Sequence, residues 1–128
     1  MNQAVLSLLK ESKHAMRIDL IGVAGSGMSG LASMLLALGH KVSGSDKVTT
    51  VETERLEKAG LMFFSPHSDK EVEDCDMVIY SSAIKPGNIA YEAAYKQAVG
   101  KRGPVKGLIV QWLARDDKDQ DEIGRAHV

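Results

Sequence analysis

Gly22-Val23-Ala24-Gly25-Ser26-Gly27-Met28-Ser29-Gly30 lies directly after Ile18-Asp19-Leu20-Ile21 and directly before Leu31-Ala32-Ser33-Met34-Leu35-Leu36-Ala37-Leu38. An apolar strand, a glycine-rich turn and an amphipathic helix, in that order, make the phosphate-binding unit of a nucleotide-binding α/β domain. The glycines let the backbone turn tightly and approach a pyrophosphate. The helix start offers N–H groups without intrahelical partners, at the positive end of the helix dipole. The loop fits the motif in two registers. Gly22-x-Ala24-x-x-Gly27 starts at the strand end but has alanine at the close-approach position, whereas Gly25-x-Gly27-x-x-Gly30 matches G-x-G-x-x-G fully but begins three residues later. A turn that only packs strand against helix is the structural alternative. Gly27 is expected at the turn into the helix, where a side chain would stand in the anion's place. Gly27→Val should then weaken anion binding more than it lowers stability.

Beyond this unit, apolar and turn signals alternate at βα spacing. Leu31, Met34, Leu35 and Leu38 form one helical face, and Gly39 supplies its stop. Lys41 to Asp46 reads as a second strand. Thr49 with Glu52 reads as a capping box opening a helix through Lys58, ended by Gly60. Leu61 to Phe64 reads as a third strand, Ser68 with Glu71 as the cap of a short helix, and Asp76 to Tyr80 as a strand buried on both faces. Pro86-Gly87-Asn88 breaks the chain before an alanine-rich helix over 89–99; Gly103-Pro104 breaks it again before a short strand at Val105 and an apolar segment, Leu108 to Leu113. Strands alternating with helices predict a single α/β domain, a Rossmann-like doubly wound parallel sheet. Its core should include Leu20, Ile21, Leu31, Leu35, Val42, Val78 and Ile79, with Met28, Met34, Met62 and Met77 read as core too.

Composition narrows the functional classes. A chain of 128 residues with 44% hydrophobic and 26% charged residues can bury a core without disulfides, so neither disorder nor a membrane protein is indicated. A net charge of −1 gives no electrostatic case for nucleic acid. Cys75 is the single cysteine, which excludes a disulfide framework and points to a reducing, cytoplasmic setting. Residues 1–16 hold one short apolar run, Ala4 to Leu9, too brief for a signal peptide or membrane span, and are read as an extension carrying an amphipathic turn. Residues 17–115 are read as the domain and 116–128 as a non-native or disordered tail. Glu122 to Val128 resembles the translation of a common sequencing-library adapter and is set aside from fold reasoning.

The other chemistry-bearing positions follow the strand ends. Asp46, nineteen residues past Gly27, stands where dinucleotide folds place a carboxylate to accept from a ribose, though a solvated turn aspartate also fits. Ser81 and Ser82 follow the fourth strand at the edge where open α/β sheets bind ligands, and either contact a nucleotide or cap a turn. His67 lies in a polar loop, and Lys85 beside the serines reads as a solvated lysine. The scattered histidines and lone cysteine have no metal-ligand spacing, so no metal site and no catalytic residue are expected.

Taken in order, "IGVAGSGMSGLASMLLALGHKVSGSD", "TERLEKAG" and "VIYSSAIKPGN" resemble the amino-terminal domain of the Mur ligases, in the branch that joins L-alanine to UDP-N-acetylmuramate. The likeness spans Arg17 to about Arg115. It implies a domain holding the UDP moiety of UDP-N-acetylmuramate. Gly22, Ala24, Gly25, Ser26, Gly27, Met28 and Ser29 would lie at the diphosphate, with Asp46, His67, Ser81 and Ser82 on the uridine side. It further implies a cytoplasmic enzyme of peptidoglycan synthesis that uses ATP and Mg²⁺ to form an acyl phosphate, which L-alanine attacks. Two departures stand out. The family reads G-x-G-G-x-G where this chain has Ala24, and no G-K-[ST] loop for ATP occurs, so these residues read as an inactive fragment that binds neither ATP nor Mg²⁺. A sibling ligase adding a whole peptide shares the same domain. An NAD-dependent oxidoreductase and a non-catalytic nucleotide-sensing module are the alternatives from other classes.

Overall fold

Nine residues precede the first strand as a helix, α1 (Gln3–Glu11), longer than the single turn expected. The computed structural model describes residues 3–25, 27–100, 108–112 and 125–127. Its strands are β1 (Arg17–Ile21), β2 (Lys41–Ser45), β3 (Met62–Phe64), β4 (Met77–Ser81), β5 (Leu108–Trp112) and β6 (Arg125–His127). Between them lie α2 (Met28–Ala37), α3 (Val51–Lys58), a 3-10 turn (Asp69–Val72) and α4 (Ile89–Gly100). Sheet order is β3-β2-β1-β4-β5-β6, and the first five strands run parallel. The chain winds outward from β1 through β2 to β3, then crosses back to place β4 on the other side of β1. That reversal creates a topological switch point between the carboxyl ends of β1 and β4, where such sheets bind ligands.

Period-two alternation sorts the strand residues onto two faces. Ile18, Leu20, Val42, Met77, Ile79 and Val110 pack beneath Leu31, Ala32 and Leu35 of α2 and Leu56 of α3. Ile21, Val78 and Tyr80 pack with Val72 and Cys75 and with Ala90 and Ala94 of α4. All seven residues expected in the core are buried. Met28 and Met77 are buried with them, but Met62 is 59% exposed, because β3 is the sheet's outer strand and offers that side chain no second layer. Leu9 of α1 is buried. The neighbouring His40 bridges α1 to the sheet, its Nδ1 accepting from the Met16 N–H at 3.0 Å and its Nε2 lying 2.8 Å from the Leu9 carbonyl.

Two local expectations are corrected. The capping box of α3 is Thr50 with Thr53, one residue later than the Thr49–Glu52 pairing. Fully buried Thr53 fixes that register, leaving Glu52 to pair with Arg55 on the outer surface. The Ser68–Glu71 box is present, but it opens a 3-10 turn of four residues. Arg125–His127 pairs antiparallel with β5 at the edge of the sheet. Ser26 and the strand expected at Val105 lie outside the described residues.

Candidate functional site

β1 ends at Ile21 and the chain must turn at once to start α2. Gly22 makes that turn with φ +88°, and a β-carbon there would stand 2.9 Å from Cβ of Ser81. The loop is then tied to the end of β2. The N–H groups of Gly22 and Val23 donate to the Ser45 carbonyl at 2.8 and 2.9 Å, and Ala24 N–H donates to Oδ2 of Asp46 at 2.9 Å. Gly25 N–H returns to the Gly22 carbonyl at 3.0 Å, while Met28 and Ser29 share the Gly25 carbonyl at 3.1 and 3.3 Å. Gly27, at φ +82°, is the N-cap of α2, and no side chain caps that helix. Its N–H has no partner among the described residues.

These dihedrals select between the two registers. Gly22 and Gly27 need their conformations, whereas Gly30 sits inside α2 with open space around its absent β-carbon. The working motif is Gly22-x-Ala24-x-x-Gly27. The same observation corrects the expectation for Gly27→Val: at φ +82° any β-carbon is strained, so the substitution lowers stability as well as disturbing the turn.

The side chains expected at the site gather unequally. Asp46 is half-buried and already accepts twice, from Ala24 N–H and, through Oδ1, from Lys47 N–H at 2.8 Å. His67 is half-buried, with Nδ1 2.6 Å from the Ser45 hydroxyl. Ser81 stands behind Gly22 and Gly25, its hydroxyl accepting from Ala83 N–H at 3.2 Å to cap the next turn. Ser82 and Lys85 are exposed. Met28 presents only its backbone on the open side of the loop, since its side chain is fully buried, with Cγ 3.8 Å from where a Gly25 β-carbon would stand.

Beneath this edge lies a polar group that motif reading did not single out. Asp19, in the middle of β1, is fully buried and accepts from the Ser43 hydroxyl at 2.7 Å. Glu71 is also buried, its Oε2 accepting from Ser68 N–H at 2.9 Å. Burial, and then the adjacent Glu71 charge, hold the Asp19 carboxyl well above the usual carboxylate range. Burial also raises Glu71, opposed by the neighbouring Asp19 and Ser45 side chains, by its hydrogen bond from Ser68 N–H and by the charge of His67. Burial and then the Asp19 charge push the nearby Cys75 thiol up to about 12. The available signal was Asp19 itself, a lone charge inside an apolar strand.

A loop of this shape at a switch point serves many nucleotide-binding proteins, so relatives decide among them. Residues 17–103 match the model of the Mur ligase family, catalytic domain. This chain belongs to the Mur ligase family. A UDP-N-acetylmuramate–L-alanine ligase of Pelotomaculum thermopropionicum is 37% identical over 103 residues, covering 79% of this chain and 22% of that protein. The crystal structure of the UDP-N-acetylmuramate-alanine ligase of Thermotoga maritima superposes with a TM-score of 0.60 at 33% identity, over 70% of this chain and 20% of that one. A murein peptide ligase of Psychrobacter arcticus superposes at 0.57 with 29% identity, over 67% and 18%. The chain therefore spans about a fifth of the length of the curated relatives it matches. As a Mur ligase domain it has the Rossmann-like parallel sheet expected from sequence.

Proposed function

We propose that this Mur ligase domain holds the UDP moiety of UDP-N-acetylmuramate for an ATP-dependent ligase that joins L-alanine to the muramate carboxylate in peptidoglycan synthesis. The observation that carries the reading is the uncapped start of α2. Among the described residues Gly27 N–H has no partner; it stands at the positive end of the helix, at the switch point, with Asp46, His67 and Ser81 on the same edge. That geometry suits a diphosphate at the loop, with ribose or base toward Asp46 and His67. The names of the relatives supply the sugar and the amino acid. A cytoplasmic setting belongs to the same proposal; among the described residues no helix is long and apolar enough to cross a membrane.

ATP and Mg²⁺ do not fit the residues present. No G-K-[ST] run occurs in the sequence, and among the described residues no three His, Cys, Asp or Glu side chains group to hold a metal ion. No step through ATP is assigned to this domain. Calorimetric titration of the chain with UDP, NADH and ATP tests the reading. Binding of UDP alone supports it; preference for NADH would return the dehydrogenase reading, and preference for ATP would move the site's role to the phosphate donor. With UDP-N-acetylmuramate, L-alanine and ATP present, these residues are expected to release no phosphate.

A further inference from the structure

Ser45 closes β2 and is fully buried, yet it bonds to both halves of the candidate site. Its carbonyl accepts from the N–H groups of Gly22 and Val23 at 2.8 and 2.9 Å, which holds the glycine loop. Its hydroxyl lies 2.6 Å from Nδ1 of His67, which follows β3 at the same edge of the sheet. A buried hydroxyl proton left without an acceptor is costly, so the Ser45 proton must be given to a neighbour. His67 Nδ1 is the acceptor that the geometry offers. Among the described residues the Ser45 hydroxyl has no other hydrogen bond. The buried Glu71 carboxyl does not take the proton: its Oε2 accepts from Ser68 N–H, and its Oε1 has no partner. A neutral imidazole that accepts at Nδ1 carries its own proton on Nε2.

We propose that Ser45 is a positioning residue for the nucleotide site: its hydroxyl donates to His67 Nδ1, fixes the ring, and presents Nε2–H as a donor to an acceptor oxygen of the nucleotide. Nε2 makes no hydrogen bond among the described residues, and the half-buried ring keeps part of its surface open. One residue thus grips the loop through its main chain and the histidine through its side chain. The separation between loop and imidazole is set within Ser45 itself. The two grips are also separable, because truncating the side chain removes the hydroxyl and leaves the carbonyl where it is. The ligand-facing part rests on the nucleotide-sugar reading above; the hydrogen bond and the tautomer do not.

Long-range ¹H–¹⁵N correlation on the full chain labelled at histidine, at about pH 8 where imidazole is ordinarily neutral, reads the proton on each ring nitrogen and the hydrogen bond at a bare one. His67 is expected to show a protonated Nε2 and a bare Nδ1 displaced by the bond it accepts. In Ser45→Ala the Nδ1 signal should move to that of an unbonded ring nitrogen, while amide exchange at Gly22 and Val23 stays as in the wild type and reports that the loop is still held. A protonated Nδ1 in the wild type, or an Nδ1 signal unchanged in Ser45→Ala, overturns the proposal. UDP titration is the second arm. Ser45→Ala should weaken UDP binding about tenfold, the worth of one good hydrogen bond. The same change should cost nothing further in a chain that already carries His67→Ala. Equal affinity in Ser45→Ala, or the same loss with and without His67, refutes the positioning role. No UDP binding by the wild type, with Nδ1 accepting as assigned, sinks the nucleotide reading and leaves the hold of Ser45 on His67 supported.

Discussion

Gly22→Ala should be the most damaging single-methyl change in the loop. Two costs combine. At φ +88° an alanine sits in a region that L side chains rarely adopt, which costs about 1–2 kcal/mol. Its β-carbon would stand 2.9 Å from Cβ of Ser81, an atom fixed to the β4 backbone, so strand or loop must shift. Overpacking of that kind costs about 1–3 kcal/mol. The sum, about 2–5 kcal/mol, is a large part of the roughly 5–15 kcal/mol that stabilises a domain. At about 4 °C per kcal/mol it lowers the melting temperature by about 8–20 °C. Gly30→Ala is the control. Gly30 is helical with nothing within 4 Å of its absent β-carbon, so alanine should stabilise by about 0.5–1 kcal/mol. Thermal and urea melts of the three proteins decide the matter. If Gly22→Ala melts within about 2 °C of wild type, or Gly30→Ala falls as far as Gly22→Ala, the choice of motif register is wrong.

Asp46→Ala removes the acceptor for the N–H groups of Ala24 and Lys47 and, at a half-exposed position, should cost about 1–2 kcal/mol. Amide exchange at Ala24 should quicken with it, and unchanged exchange there would show that the carboxylate does not hold the loop. The raised Asp19 carboxyl makes the fold prefer the protonated acid; that stabilisation is whole below the unfolded carboxylate range and is lost as pH rises through the folded value. Asp19→Asn cannot ionise, so its melting advantage over wild type should widen from about pH 4 to about pH 8, and a constant or shrinking gap contradicts the assignment. Cys75, buried and with its thiol pushed up to about 12, should resist a thiol reagent at about pH 8 until the chain unfolds; labelling of the native protein at the rate of free cysteine would count against its burial.

Strand positions and the two-faced core were legible because each rests on short-range periodicity, as in Met77 to Tyr80, which alternate between the two core layers. What the sequence could not decide was each case with two locally equivalent answers. Thr49–Glu52 and Thr50–Thr53 both read as helix caps, and only the burial of Thr53 against the rest of the fold chose between them. The two glycine registers differ in backbone dihedrals that no residue type dictates. Met62 was misread because an edge strand looks like an inner one until the sheet order is known. At the site, distance past the loop points to Asp46, whereas His67 enters only through the family resemblance. Glu71 was read as a cap, which accounts for one of its oxygens and says nothing of the other.

The tether between the glycine loop and the end of β2 has a thermodynamic consequence. Gly22, Val23 and Ala24 are ordered by the Ser45 carbonyl and the Asp46 carboxylate, so that stretch of backbone loses its conformational entropy when the domain folds. An anion arriving at the start of α2 then meets a turn that is already pre-organised, and little of its binding free energy is diverted to ordering the chain. Control of that pre-organisation lies twenty-two positions away from Ala24 in sequence, at Asp46. On the proposed reading, changes at the end of β2 reach the loop's affinity by altering how much disorder a ligand must remove, in addition to any contact Asp46 makes with the ligand itself.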